Sequence, residues 1–227
     1  NVKSFQDAMM GLERRRNFRE IFEYLPSLIM HRPDLHEYYH INKLTVTALG
    51  ETPAEMLRAN YTFPSTCQVL SILVSVEEAT SESFLSFGLA PETHNLNGLP
   101  GWFNNSMGYH SDGELHVADQ FLVGQSRCIT TYDAQSPLAQ NDVFLFMYDR
   151  ELRRIDVSRN GITILSDLCP EISVVRLFPV IQVSGAGTRV TLSFPLDATK
   201  WIRNVDEAST APSTNNEALL QHGTTIG

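Results

Sequence analysis

The chain has 227 residues, of which 42% are hydrophobic and 19% charged, and such a composition is typical of a globular protein with one sizeable core. Its formal net charge of −9 argues against a domain that binds nucleic acid through phosphate contacts, and against one that binds an anionic membrane surface. No stretch approaches the roughly 20 consecutive apolar residues that a membrane-spanning helix needs, so no membrane contact by this segment is expected.

The N-terminal region is predicted to be helical, because apolar residues recur at spacings of three and four between residues 5 and 30. The apolar stripe consists of Phe18, Ile21, Phe22, Leu25, Leu28 and Ile29. The nearby arginines lie mostly off this stripe and form either a solvated face or a surface that binds a partner. We therefore predict a helical N-terminal extension over residues 1–40, with both interpretations of its polar face open.

The stretch from His36 to His40 reads HEYYH and matches the H-E-x-x-H pattern of zinc metalloproteases. On a helix the two histidines would share one face, and Glu37 would act as general base on a metal-bound water. A catalytic zinc site also needs a third protein ligand. No histidine follows at the metzincin spacing, and Pro33 limits the helix that would carry the motif. We favour surface histidines on a lead-in segment and keep a zinc-dependent hydrolase as the weaker alternative.

From Leu44 onward the sequence breaks into short runs that are rich in β-branched and aromatic residues and bounded by Gly, Pro, Asn or Asp. The runs are KLTVTAL, CQVLSILVSVEE, SFLSFGLA, DVFLFMYD, RRIDVS, LFPVIQV and TRVTLSF. The dipeptide Asn160-Gly161 favours a tight hairpin turn, because both residues tolerate positive φ. Many short strands with almost no helix between them predict an all-β, antiparallel two-sheet sandwich over residues 41–203. Residues 204–227 are predicted to form a polar, flexible tail.

The three cysteines, Cys67, Cys128 and Cys169, are far apart in the sequence and form no C-x-x-C pair. Their odd number and spacing indicate neither a zinc ribbon nor a disulfide framework. They are interpreted as reduced, mostly buried thiols of a cytoplasmic or nuclear protein. A membrane anchor elsewhere in a longer protein stays open.

Residues 96–115 read LNGLPGWFNNSMGYHSDGEL, in which an LPGW turn is followed by a serine, then GYH, then DG. This order resembles the SPRY domain family. Within the family it is most similar to the group that contains the Ran-binding protein of the microtubule-organising centre and the yeast vacuolar ubiquitin-ligase adaptors. Flanking segments such as MLRANYTFP, FLSFGLA and IDVSRNGITI also fall in the family's order. The resemblance covers about Leu44 to Phe194 and implies a bent antiparallel β-sandwich.

The resemblance implies a non-catalytic module that recognises a protein or short peptide through loops at one edge of the sandwich. By family analogy alone, it implies recruitment of a substrate or adaptor in a multi-subunit ubiquitin-ligase or scaffold complex. The sequence contains no G-x-S-x-G elbow, Walker-type loop or G-x-G-x-x-G motif that would favour an enzyme, and no cofactor is expected. A structural subunit of a large assembly remains an alternative.

The positions that match the family's binding loops are Arg58, Asn60, Asn97, Trp102, Tyr109, His110 and Asp112. Trp102 and Tyr109 would offer large, rigid contact areas, and Arg58 would pair with a carboxylate or donate to backbone carbonyls. Trp102 and Tyr109 are equally well interpreted as packing residues of the sandwich. The group His110, Asp112 and His116 is interpreted as packing within a strand and loop, so no metal site is predicted.

Overall fold

The structure is a computed structural model that describes residues 26–63, 67–93, 96–103, 105–118, 127–130, 137–168 and 176–195. In these residues the chain forms one 3₁₀ helix, Pro33–Glu37, and fourteen strands. The strands are β1 (Leu28–Ile29), β2 (Tyr39–Asn42), β3 (Thr45–Ala48), β4 (Leu57–Ala59), β5 (Val69–Glu78), β6 (Phe84–Pro91), β7 (Ser106–His110), β8 (Glu114–Ala118), β9 (Arg127–Thr130), β10 (Val143–Asp149), β11 (Arg154–Arg159), β12 (Ile162–Leu168), β13 (Leu177–Ser184) and β14 (Arg189–Ser193).

The described strands build two antiparallel sheets, which confirms the all-β sandwich predicted from the sequence. Sheet I has the strand order β1-β4-β13-β6-β7-β8-β9, and sheet II has the order β12-β11-β10-β5-β14-β3-β2. Each of the seven runs picked out in the sequence overlaps one of the strands along most of its length. Strands that are distant in sequence lie side by side, as β13 does between β4 and β6, so the fold depends on long-range pairing.

One hydrophobic core lies between the two sheets and contains inward-facing residues from both. Phe87 of β6 is fully buried in sheet I, and its ring contacts the rings of Phe144 and Phe146 in sheet II, with centroid distances of 5.7 and 6.4 Å. Tyr109 of β7 adds a third ring at 5.9 Å. Aromatic pairs at such distances contribute more than their buried area alone. This aromatic cluster therefore stabilises the packing of sheet I against sheet II.

The region before residue 41 differs from the predicted helical extension. Leu28–Ile29 is a strand that pairs with Ala59 and Arg58 of β4, so the helix prediction is wrong at these residues. Leu28 is buried whereas Ile29 is 43% exposed, an alternation of period two that fits a strand. Strand β2 pairs with β3, and the predicted boundary at residue 40 therefore falls within a strand of sheet II. The rest of the predicted helix, at residues 5–25, and the predicted tail lie outside the described residues.

The turn between β11 and β12 carries the predicted Asn160-Gly161 dipeptide, whose φ angles are 54° and 81°. The turn is tied to the start of β10 by the buried carboxylate of Asp142. This carboxylate accepts hydrogen bonds from Arg159 Nη2 at 2.5 Å and from Asn160 Nδ2 at 2.8 Å. It also accepts one from the backbone N–H of Ala139 at 2.8 Å. A buried charge is thus fully surrounded by donors, as burial requires.

The cysteines depart from the sequence interpretation in their burial. Cys67 and Cys128 are both in the thiol form, but Cys67 is half-buried and Cys128 is exposed. Cys169 lies outside the described residues. No helix within the described ranges is both long and apolar enough to cross a bilayer.

Candidate binding surface

The outer face of sheet I, turned away from the core, is covered by the loop that follows β6. We call residues 92–103 the LPGW loop; residues 92–93 and 96–103 of it are described. Leu96 accepts a hydrogen bond from Met56 N at 2.9 Å and packs on a small cluster of Met56, Ala90 and Val180, which is separate from the main core. The loop therefore has its own hydrophobic anchor on this face.

Two glycines allow the LPGW loop to lie flat on the strands. A Cβ added to Gly108 of β7 would come within 2.3 Å of Pro100 Cβ. Residue 108 must therefore be glycine for Pro100 to pack on the strand. Gly101 has a φ of +86°, and a Cβ there would lie 2.3 Å from the carbonyl oxygen of His116. Gly101 and Gly108 thus allow the loop backbone to approach the sheet backbone closely.

Replacing Gly108 with alanine should therefore lower the free energy of unfolding by about 1–3 kcal/mol, the range for overpacking a rigid contact. Pro100 approaches with backbone and ring atoms that cannot rotate away, so the loop itself would have to move. Chemical denaturation measures the loss. Gly50→Ala is the matched control, because a Cβ there meets nothing within 4 Å. Equal stability of the two variants would contradict the tight loop–sheet contact.

Arg58 of β4 holds the beginning of the LPGW loop. Its Nη1 donates to the carbonyl oxygen of Glu92 at 2.7 Å, and its guanidinium carbon lies 5.0 Å from the ring centroid of Phe178. The sequence interpretation that Arg58 donates to a backbone carbonyl fits this contact, although the carbonyl belongs to the chain itself. Glu92 and Phe178 were not identified from the sequence. Glu92 contributes its backbone carbonyl, which every residue type has, so the sequence does not single it out.

Trp102 is the exposed aromatic residue of the LPGW loop. Its backbone N–H donates to the carbonyl of Leu99 at 3.1 Å, which closes a turn. The side chain is 44% exposed, and its ring lies 6.3 Å from the ring of His110 and 6.5 Å from that of His116. Trp102 is thus supported from beneath on one side and open to solvent on the other.

Tyr109 and His110 are buried, so neither presents its side chain to a partner in this structure. Tyr109 is 1% exposed because it points inward from β7 into the aromatic cluster of the core. His110 points outward, yet the LPGW loop covers it, and its Nε2 lies 2.9 Å from the carbonyl oxygen of Pro100. Burial lowers the pKa of His110 to about 4, so the ring is neutral at physiological pH. These two predicted contact residues instead support the loop.

The remaining predicted site residues are exposed and lie in three separate segments. Asn60 follows β4, and its Oδ1 accepts a hydrogen bond from Ser27 N at 2.8 Å, which secures β1 beside β4. Asn97 is within the LPGW loop. Asp112 lies in the turn between β7 and β8, where its Oδ1 accepts from the backbone N–H of Glu114 at 3.2 Å. Asn97 therefore belongs to the same loop as Trp102 and Asp112 to the turn that follows β7, whereas Asn60 lies at the β1 edge.

The HEYYH motif does not have the geometry that zinc hydrolysis needs. His36 and Glu37 belong to the 3₁₀ helix, while His40 lies on β2. The two histidines therefore do not occupy one face of an α-helix, which is the arrangement that makes this spacing a metal motif. The structure removes the basis of the hydrolase alternative at these residues.

Comparisons with known proteins agree with the architecture. No protein-family model matches the chain. A 65-residue stretch, 28% of the chain, is 35% identical to Ran-binding protein 9 of Danio rerio, and a 75-residue stretch is 32% identical to the Ran-binding proteins 9/10 homolog of Drosophila melanogaster. The matched stretches span 11% and 8% of those much longer relatives.

A solved human SPRY domain superposes on 68% of this chain and 94% of its own length, with a TM-score of 0.50 and 20% sequence identity. The similarity to Ran-binding proteins 9 and 10 points to the same relatives as the LPGW segment does. The chain therefore has the SPRY fold, in the form of a two-sheet sandwich that carries the LPGW loop on its outer face.

Proposed function

We propose that this protein is a non-catalytic interaction module that recognises a peptide or a partner's surface through the LPGW loop, with Trp102 as the central contact. One observation carries the proposal: a large aromatic side chain is 44% exposed on a loop that is held against the sheet at several points. The loop is fixed by Arg58 at Glu92, by Leu96 on its apolar cluster and by Pro100 against Gly108.

A fixed, exposed tryptophan suits recognition for two physical reasons. Its side chain buries a large area while losing little conformational freedom, and such residues are enriched at the positions that dominate binding energy. Binding residues also concentrate on loops of a rigid scaffold. Such loops are already ordered before the partner binds, so binding costs less conformational entropy. The SPRY fold, which serves protein recognition in the family that the sequence resembles, supports the same function.

The finer role that we propose is recruitment of a substrate or adaptor within a ubiquitin-ligase or scaffold complex of the cytoplasm. Its support is the sequence resemblance to the adaptor group and the partial match to Ran-binding proteins 9 and 10. Since the matched stretch is about a tenth of those relatives, their remaining length has no counterpart in the match, and the role of the full protein follows by analogy.

Replacing Trp102 with alanine should weaken partner binding by about 30-fold or more, because truncating an aromatic hot spot costs about 2 kcal/mol or more. Partners are first identified by affinity capture and mass spectrometry with the whole chain, and the affinity of one purified partner is then measured for each variant. Ile162→Ala is the matched control, since Ile162 is a 60% exposed apolar residue on β12 of sheet II.

The expected result is loss of binding with Trp102→Ala, retention with Ile162→Ala, and unchanged circular dichroism for both variants. Equal partner binding by the two variants would contradict recognition through the LPGW loop. Loss with Ile162→Ala alone would assign the interaction to sheet II.

A further inference from the structure

Three potential metal ligands meet on the outer face of sheet I, beneath Trp102. His110 ends β7, while Glu114 and His116 lie two apart on β8, and their ligand atoms all lie within 4.8 Å of one another. Strand pairing explains the convergence. His116 is opposite Gly108, two residues before His110, so all three side chains emerge on the same side of the sheet. The cluster is separate from the exposed surface of Trp102 that the proposed function uses.

His110 has the protonation and support of a metal-ligating histidine. Its Nε2 lies 2.9 Å from the carbonyl oxygen of Pro100, and because a carbonyl only accepts, the proton is on Nε2. Nδ1 therefore carries the lone pair. A backbone carbonyl that fixes the tautomer of the ring is the usual outer support of a histidine ligand.

His116 contains a buried nitrogen that nothing in the described part of the chain satisfies. Its Nε2 lies 2.9 Å from Glu114 Oε2, whereas its Nδ1 is buried and has no hydrogen-bond partner among the described residues. The side chain as a whole is only 12% exposed. A buried polar atom left without a partner is unfavourable, so such an atom calls for an explanation. A cation bound to Nδ1 supplies one, and the Glu114 carboxylate then leaves Nε2 and turns to the ion.

A fourth donor borders the cluster. Cys128 of β9 is directly opposite His116 across the strand pair, and its thiol hydrogen-bonds the Glu114 carboxylate. It is exposed, and Glu114 is 38% exposed, so an ion has a route in from solvent. Imidazole, carboxylate and thiolate together match the ligands that Zn²⁺ prefers.

From this arrangement we propose that the protein binds one Zn²⁺ ion through His110, Glu114 and His116, with the fourth position taken by the Cys128 thiolate. In a tetrahedral site with bonds of about 2.1 Å the ligand atoms lie roughly 3.3 Å apart. The ligand atoms of His110, Glu114 and His116 already lie within 4.8 Å of one another, so these three side chains need only a small rearrangement. Coordination by Cys128 releases the thiol proton to solvent. The ion links β7, β8 and β9 directly under the LPGW loop.

Titration of the metal-free full-length chain with Zn²⁺ alone tests the proposal. Wild-type protein should bind one equivalent saturably, and Glu114→Gln should weaken that binding at least about tenfold. Glu114→Gln removes the charge with little change of volume at a partly exposed position, so it preserves the fold. The double variant His36→Ala/His40→Ala is the control, because these histidines could also bind Zn²⁺ yet lie on other elements.

Substitution with Co²⁺ identifies the fourth ligand, since a thiolate bound to Co²⁺ gives a charge-transfer absorption band. That band should appear in the wild-type chain and disappear in Cys128→Ser. Persistence of one-equivalent binding in Glu114→Gln, or its loss in the control variant, would overturn the site. The absence of saturable binding by wild-type protein would overturn the proposal altogether, and a cobalt spectrum without the band would remove Cys128 from the ligand set.

Discussion

Replacing Asp142 with alanine should lower the free energy of unfolding by about 3–5 kcal/mol, because it leaves the charge of Arg159 buried without its carboxylate partner. The side chains of Asp142 and Arg159 are only 6% and 11% exposed. The substitution also takes the acceptor from the N–H of Ala139 and from Asn160 Nδ2 at the hairpin turn. Urea denaturation of the wild type and the variant at the same pH and salt concentration measures the difference.

Glu78→Ala is the matched control for this prediction. Glu78 pairs with Arg189 at 2.7 Å, but the two side chains are 49% and 40% exposed, and an exposed pair contributes about 0–1 kcal/mol. A loss of similar size in both variants would show that burial does not govern the Asp142 pair.

Acidification tests the same carboxylate in a second way. Burial alone would raise the pKa of Asp142, but the hydrogen bonds from Arg159 and Asn160 outweigh it and hold the pKa below its ordinary value of 3.8. Because the folded-state pKa is the lower one, the stabilisation is complete above pH 3.8 and disappears as the pH falls through the folded-state value. The stability difference between the wild type and Asp142→Ala should accordingly shrink below pH 3.8.

Replacing Phe87 with alanine should also cost about 3–5 kcal/mol, because it empties a fully enclosed position between the sheets. The neighbouring rings of Tyr109, Phe144 and Phe146 belong to strands of both sheets and cannot all move into the space. Thermal or chemical denaturation measures the loss. Phe87→Leu should lose clearly less, since it refills most of the volume, and Ile162→Ala on the surface should change stability by no more than about 0.5 kcal/mol. Similar losses for Phe87→Ala and Ile162→Ala would contradict the core assignment.

The strands that the sequence predicts well are those whose runs are apolar and bounded by turn residues. Strands β5, β6 and β10 are buried along most of their length, so hydrophobic composition alone identifies them. Strand β8 has no such signal, because charged and imidazole side chains alternate with its apolar ones. Strand β1 was predicted as helix, because Leu28 and Ile29 continue the apolar spacing of three and four that precedes them in the sequence.

The sequence identifies the LPGW segment but not the orientation of its side chains and those of its neighbours. Only the coordinates reveal that Trp102 faces solvent while Tyr109 faces the core. His110 was interpreted both as a packing residue and as a contact residue, and the coordinates show that the LPGW loop buries it at an outward-facing position. Glu114 escaped as a potential ligand because its closeness to His110 follows from strand register, which residue type does not encode.

The contacts that hold the LPGW loop on sheet I also limit which insertions the loop can accept during evolution. From Leu99 to Trp102 each position takes part in a contact with the sheet or in a turn, so an insertion there would lift Trp102 from its support. Under the proposed function, specificity is therefore expected to diverge by exchange of side chains such as Trp102, while the length of the segment from Leu99 to Trp102 stays constant.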